Sequence, residues 1–181
     1  MSNFYTRKGD DGTTGLLGEG RLPKYHPRME TIGALDEATA ALGLARSLVK
    51  DAALQPILLQ TQRDLYGLMA EVAATPENAA QFRSIDASRV TWLESKTDAL
   101  SAKVQMPKEF ILPGETQGSG ALALARTVIR RAERRVAELL IAGELENQDL
   151  LSYLNRLSSL CFVLELVENQ FAEKETRKAK E

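Results

Sequence analysis

The sequence predicts an all-α fold: a five-helix bundle carrying an N-terminal loop arm. Three observations predict it. Apolar residues recur at helical spacing through five stretches, roughly 27–49, 54–74, 86–105, 117–142 and 147–173. The connections between these stretches are short, as a bundle requires. No period-two pattern of strand length competes with them. At 181 residues the chain is most simply one domain, large enough to bury a core.

Residues 1–26 are rich in glycine, proline and polar side chains, so the arm reads as loop with a short extended piece at Phe4-Tyr5-Thr6. Pro27 suits the first turn of the first helix. On that helix Gly33, Asp36, Ala40 and Gly43 share one narrow face, small enough for another backbone to approach. Asp86 is placed to cap the third helix. Leu112-Pro113-Gly114 breaks the chain before the fourth, and Gly143 ends it. At about 100° per residue, Leu122, Ala125, Val128, Ile129, Ala132, Val136, Leu139 and Leu140 of the fourth helix form one apolar arc. Arg126, Arg130 and Arg134 form a separate stripe, with Glu133 on the edge between. The fifth helix has a core arc through Leu150, Tyr153, Leu154, Leu157, Leu160, Cys161, Leu164 and Val167. Leu151, Phe162 and Leu166 lie on another side with Asn155, so this helix needs a second partner, a ligand or another subunit. Residues 173–181 are mostly charged and are expected to be a frayed, disordered tail.

Composition excludes several classes. The chain is 44% hydrophobic and 27% charged, as ordinary globular proteins are. A net charge of -2 argues against a general nucleic-acid binder. The single cysteine, Cys161, rules out an intrachain disulfide and lies on the core arc. No secretory pattern opens the chain and no run reads as membrane-spanning, so a cytoplasmic protein with no membrane partner is expected. The lone histidine, His26, lies outside the helices, which excludes a Glu-x-x-His di-iron bundle and a Ser-His-Asp triad. With no evident protein nucleophile, the reading favours chemistry whose reactive atom comes from a substrate or cofactor.

Two polar motifs carry that reading. Thr6-Arg7-Lys8-Gly9-Asp10-Asp11-Gly12-Thr13-Thr14-Gly15 is not a Walker A loop, because no Gly-Lys-Ser/Thr follows. Its Gly-Asp and Asp-Gly pairs are ordinary turn chemistry; its glycines equally permit a nest of N–H groups around an anion, with Lys24 adding a point charge. The second motif packs five arginines between Arg126 and Arg135. A basic run is often a solvated face. Here the arginines outnumber nearby acids, border the apolar arc and suit bidentate contacts, which favours an anion such as a polyphosphate. Asp36 is the natural partner for one of them if buried. Asn155 is either a satisfied structural amide or a contact to a base or sugar.

These residues resemble the PduO-type ATP:cob(I)alamin adenosyltransferases. The resemblance rests on four motifs in order: Tyr5 through Thr14; Glu30 with Gly33 and Asp36-Glu37; Phe110-Ile111-Leu112-Pro113-Gly114; and Ala125 through Arg134 followed by Leu154-Asn155-Arg156-Leu157-Ser158. It implies a homotrimer with active sites between subunits. It implies that Thr6, Arg7, Lys8, Gly9, Thr13, Thr14 and Lys24 wrap ATP, and that Arg130, Arg131, Glu133, Arg134 and Asn155 complete the site. It implies that Arg130 and Arg134 stabilise the leaving triphosphate, with Mg²⁺ held through the phosphates. Asp36 resembles the family's acid that pairs across the interface with Arg130. Phe110, Ile111, Leu112 and Phe162 are candidates for an apolar wall against the corrinoid. A reductase and a cobalamin-dependent enzyme are the implied transient partners. Glu115, Ala123 and Ala38-Thr39 depart from the family's usual residues. The rival reading is a non-catalytic ATP- or polyphosphate-binding regulatory bundle.

Overall fold

The computed structural model of the chain describes residue 5 and residues 7–180. Two short strands, β1 (Thr13–Gly15) and β2 (Arg21–Pro23), precede six helices: α1 (Pro27–Leu48), α2 (Gln55–Ala73), α3 (Pro76–Phe82), α4 (Ala87–Ser101), α5 (Gln117–Ile141) and α6 (Asp149–Phe171). The all-α bundle expected from periodicity is present, with one extra short helix and a hairpin that periodicity missed. Part of the anticipated extended piece, at Phe4 and Thr6, lies outside the described residues.

Local chemistry sets the helix ends. His26 caps α1 by accepting the Arg28 N–H at its Nδ1 (3.2 Å), with Pro27 next in the first turn. Asp86 caps α4 by accepting from the Arg89 N–H at 3.0 Å. Thr116 and Ser119 form a reciprocal capping box at the start of α5. Gly143, at φ 74°, closes α5 in a Schellman turn: Glu144 N–H reaches Leu139 C=O at 2.9 Å and Gly143 N–H reaches Leu140 C=O at 3.2 Å.

Side by side, the long helices run α2, α1, α5, α6, α4, so α1, α5 and α6 each have neighbours on two sides. The predicted arcs are the core. Leu122, Ala125, Val128, Ile129, Ala132, Val136 and Leu139 of α5 are buried, as are all eight arc residues of α6. The interior also holds a polar knot. Asp64 of α2 accepts from Arg89 and from the Tyr153 hydroxyl (2.6 Å), so each buried polar atom of the knot but Arg89 Nε has a partner. Burial, then the Asp64 charge, push the Tyr153 phenol far up.

Three expectations change. Helix α6 is long and apolar enough to cross a membrane, with a mean hydropathy of 1.4, contrary to the absence read from sequence; 67% of that window is buried inside the bundle. Residues 174–179 do not fray: Leu112 N–H donates to Arg177 C=O (2.9 Å) and Ala179 N–H to Phe110 C=O (2.8 Å). The arm is docked rather than loose. Leu17 N–H donates to Ala73 C=O at 2.9 Å, and Thr75 N–H donates back to Leu17 C=O at 3.1 Å. Gly18 makes this close approach possible, since at φ 136° a Cβ there would stand 2.6 Å from Thr75 Oγ1 and Asn78 Nδ2.

Candidate functional site

The N-terminal loop is built around two charged residues. Asp11 Oδ1 accepts both the N–H (2.9 Å) and the hydroxyl (2.8 Å) of Thr13. These bonds, the backbone one foremost, hold the Asp11 carboxyl below its usual range. Arg21, which sequence reasoning passed over, donates to Thr13 Oγ1 (2.8 Å), Thr13 C=O (3.1 Å) and Lys8 C=O (2.5 Å). It therefore ties the loop's two ends to β2. Lys24 lies across the loop: a Cβ on Gly9 would meet its Nζ at 3.2 Å. Arg7 takes a positive φ of 60° with its guanidinium 5.4 Å from the Tyr5 ring centre. Arg7, Lys8, Gly9, Thr13, Thr14 and Lys24 thus share one loop-and-hairpin unit, whereas Thr6 lies outside the described residues.

The arginine stripe opens onto grooves between α5 and α6. The first, of about 450 Å³, is lined by Arg130, Glu133, Arg134, Leu151, Asn155 and Arg156. Helical spacing on α5 puts Arg130, Glu133 and Arg134 on one face, and Asn155 comes from the facing side of α6. Asn155 Nδ2 donates to Glu133 Oε1 at 2.8 Å, and its Oδ1 accepts from Arg156 Nη1 at 2.7 Å. Arg156 also pairs with Glu94 of α4 at 2.8 Å. This relay fixes the Asn155 amide and leaves Arg130 and Arg134 exposed, with no acid partner among the described residues. Arg131 is drawn instead to Glu37 of α1 and does not line the groove. Asp36 is exposed on α1 and makes no ion pair among the described residues.

A second groove, of about 490 Å³, continues from the first through Arg130 and is lined by Arg126, Ser158, Phe162 and Met106. A third, of about 370 Å³, continues through Arg126 and Phe162 to Phe110 and Ile111. Phe110 is 90% exposed, a large ring standing free at this mouth. Leu112 does not line it; its N–H is held by the carbonyl of Arg177 in the C-terminal segment instead. Glu165, three residues after Phe162 on α6, is buried, and among the described residues its Oε1 and the buried Arg126 Nε have no hydrogen-bond partner. Burial raises the Glu165 carboxyl to about 7, against the opposing pull of Arg126. The loop and the arginine grooves, expected to act together, do not meet within the chain: among the described residues, none from the loop lines any of the three grooves.

The family described as Cobalamin adenosyltransferase matches residues 4–168. The chain is 39% identical over 171 residues to "Corrinoid adenosyltransferase PduO" of Salmonella typhimurium, covering 93% of this chain and 50% of that protein. It thus spans about half the length of that relative. It is 40% identical over 175 residues to a corrinoid adenosyltransferase of Mycobacterium tuberculosis, covering 93% of this chain and 90% of the relative. Among solved structures, a variant PduO-type ATP:corrinoid adenosyltransferase from Lactobacillus reuteri, complexed with cobalamin and ATP, superposes with a TM-score of 0.91 at 32% identity, covering 98% of this chain and 97% of that one. The helix order, the motif-bearing grooves and these likenesses over nearly the whole chain agree, and the chain belongs to the cobalamin adenosyltransferase family.

Proposed function

We propose that the chain transfers the 5′-deoxyadenosyl group of ATP to the cobalt of a reduced corrinoid, releasing triphosphate. One observation carries the reading. A polar groove bearing Arg130, Glu133, Arg134 and Asn155 adjoins, through grooves that share Arg130 and then Arg126 and Phe162, a mouth bearing Phe110 and Ile111. A nucleotide fits the first end and a corrin face the second. A regulator that only binds ATP needs the first end alone.

In this reaction Co(I) attacks C5′ of ATP. A Co–C bond forms, the C5′–O bond breaks, and the electron pair leaves with triphosphate while cobalt becomes formally Co(III). The protein supplies no nucleophile; it aligns the two substrates and neutralises charge growing on the leaving group. Arg130 and Arg134 serve the second task, together with Lys24, the loop N–H groups and a Mg²⁺ carried by the phosphates. Asn155, fixed by Glu133 and Arg156, is oriented for the ribose or base. The exposed Phe110 ring and Phe162 present an apolar face that excludes an axial ligand from cobalt, which eases reduction to Co(I).

The site is completed between subunits. No described residue of the docked loop lines the grooves of its own chain, and on that ground we infer that the loop of one copy closes the grooves of the next in a homotrimer. Asp36, exposed and in no ion pair among the described residues, then pairs with Arg130 of the partner subunit. We place the enzyme in the cytoplasm, receiving electrons from a reductase and passing its product to a cobalamin-dependent enzyme by transient contacts.

The test is direct. Protein, ATP, Mg²⁺ and chemically reduced cobalamin are mixed and the spectrum is followed for adenosylcobalamin, with triphosphate measured in parallel. Both products are expected in equal amounts. ATP binding without adenosylation, unchanged in arginine variants, would establish the regulator instead.

A further inference from the structure

No residue of α4 has a part in the reaction just described, yet one of its acids is bonded through to the nucleotide groove. Glu94 itself lines none of the three grooves. Its Oε1 accepts from Arg156 Nε at 2.8 Å, and Arg156 Nη1 in turn donates to Asn155 Oδ1 at 2.7 Å. Asn155 Nδ2 donates to Glu133 Oε1 at 2.8 Å. The amide is therefore held at both ends, by α5 through Glu133 and by α4 through Arg156. An asparagine amide has two N–H donors and an oxygen with two lone pairs, so one donor and one lone pair stay open for a ligand. The two bonds already made set their direction. A second observation fixes the α4 end of this relay. Asp64 of α2 accepts from Arg89 of α4 and from the buried Tyr153 hydroxyl of α6. Arg89 stands five residues before Glu94, and Tyr153 two before Asn155. The Arg89 guanidinium also lies 4.6 Å from the Trp92 ring centre, and Leu93, beside Glu94, is fully buried. The knot thus locks α4 in register against α6 and keeps Glu94 opposite Arg156.

We propose that Glu94 is a positioning residue for the nucleoside half of ATP: through Arg156 it sets the direction in which the Asn155 amide faces the groove. Without the carboxylate, Arg156 swings free. Asn155 then keeps only its bond to Glu133, about which the amide can turn. The triphosphate half is assigned to Arg130 and Arg134, which stand outside this relay, Arg134 being bonded to the Arg130 carbonyl. The effect of Glu94 is therefore confined to the nucleoside.

This proposal rests on the adenosyltransferase reading. Its test uses Glu94→Ala, Glu94→Gln, Asn155→Ala and the double variant Glu94→Ala/Asn155→Ala. Glu94 and Arg156 are 44% and 45% exposed, so water screens their pairing and the effect is modest. The KM for ATP should rise about three- to fivefold in Glu94→Ala. It should rise less in Glu94→Gln, whose amide oxygen can still accept from Arg156. Inhibition by inorganic triphosphate, which has no nucleoside, should not move, nor should the KM for reduced cobalamin. On the Asn155→Ala background, Glu94→Ala should cost nothing further. A merely structural role would lower the melting temperature and weaken triphosphate and ATP alike. That pattern, an unchanged KM for ATP, or additive effects in the double variant would each overturn the proposal. Should Glu94→Ala not fold, Glu94→Asp, which withdraws the carboxylate by one methylene, carries the same expectations. Should wild-type protein show no adenosylation, the functional reading fails by itself. The relay is then judged from ATP affinity in the same variants by calorimetry, where equal affinities, or no binding at all, refute it.

Discussion

Arg134 stands exposed on α5, with Nη1 donated to the carbonyl of Arg130 (2.9 Å) and no core contact to lose. Arg134→Lys should therefore keep the melting temperature while kcat falls about 10²–10³-fold, because lysine retains the charge but not the oriented fork. Stopped-flow and thermal unfolding together check this; unchanged kcat, or simple unfolding, contradicts the role. Glu165 yields a prediction of opposite kind. Its folded carboxyl is raised from 4.5 to about 7, so the folded state holds a proton that the unfolded state releases. Its contribution is fully present below pH 4.5 and is lost as the pH rises through about 7. Urea unfolding should thus show wild-type stability declining across that window by up to about 3 kcal/mol relative to Glu165→Gln, whose profile is flatter. The arginine stripe was legible in the sequence because charge on a helix obeys the same period as the core. Glu165 was not, since an acid in a helix reads as solvent-facing unless its neighbours in space are known. Arg21 escaped notice for a similar reason: its bonds span eight and thirteen residues and follow no period.

The five long helices announced themselves through apolar residues at helical spacing, and Pro27, Asp86 and Gly143 marked ends that the structure keeps. The elements that were missed are short or non-local. Strands of three residues have no alternation to detect, and α3, at seven residues, offers barely two turns. The C-terminal segment docks on Phe110 through Leu112 by backbone bonds, flanked by Arg177–Glu115 and Lys178–Glu109 ion pairs, which no periodic pattern foretells. The docking of the arm gives a test at this scale. Gly18→Ala puts a Cβ against Thr75 and Asn78 in a backbone conformation that alanine resists. The expected cost is about 1–3 kcal/mol, localised to the arm. Hydrogen exchange should show lost protection at the Leu17 and Thr75 amides, whose bonds hold the arm down, while α5 and α6 stay protected. The KM for ATP should rise. Protection retained at both amides would show that the arm tolerates the methyl group.

At the scale of the whole molecule, the separation of loop and grooves makes complementation the sharpest test of a shared site. Subunits carrying Lys24→Ala and subunits carrying Arg134→Lys should each be nearly inactive. Unfolded together and refolded as mixed trimers, they should recover about a quarter of wild-type activity, since random pairing joins an intact loop to an intact groove at one interface in four. No recovery would mean that each chain completes its own site. Asp36→Ala should weaken the assembly in sedimentation far more than Glu37→Ala, whose partner Arg131 is in the same chain. The lateral order of the helices also has a consequence for biosynthesis. On the ribosome α1 emerges with α2 and can pair with it, but the larger of its two faces waits for α5, which begins about seventy residues later. Helix α4 waits as well, because its main partner is α6, the last helix to be made. The nascent chain therefore carries an uncovered apolar surface through most of translation. Its requirement for chaperones should be governed by the pace at which the final third of the message is read.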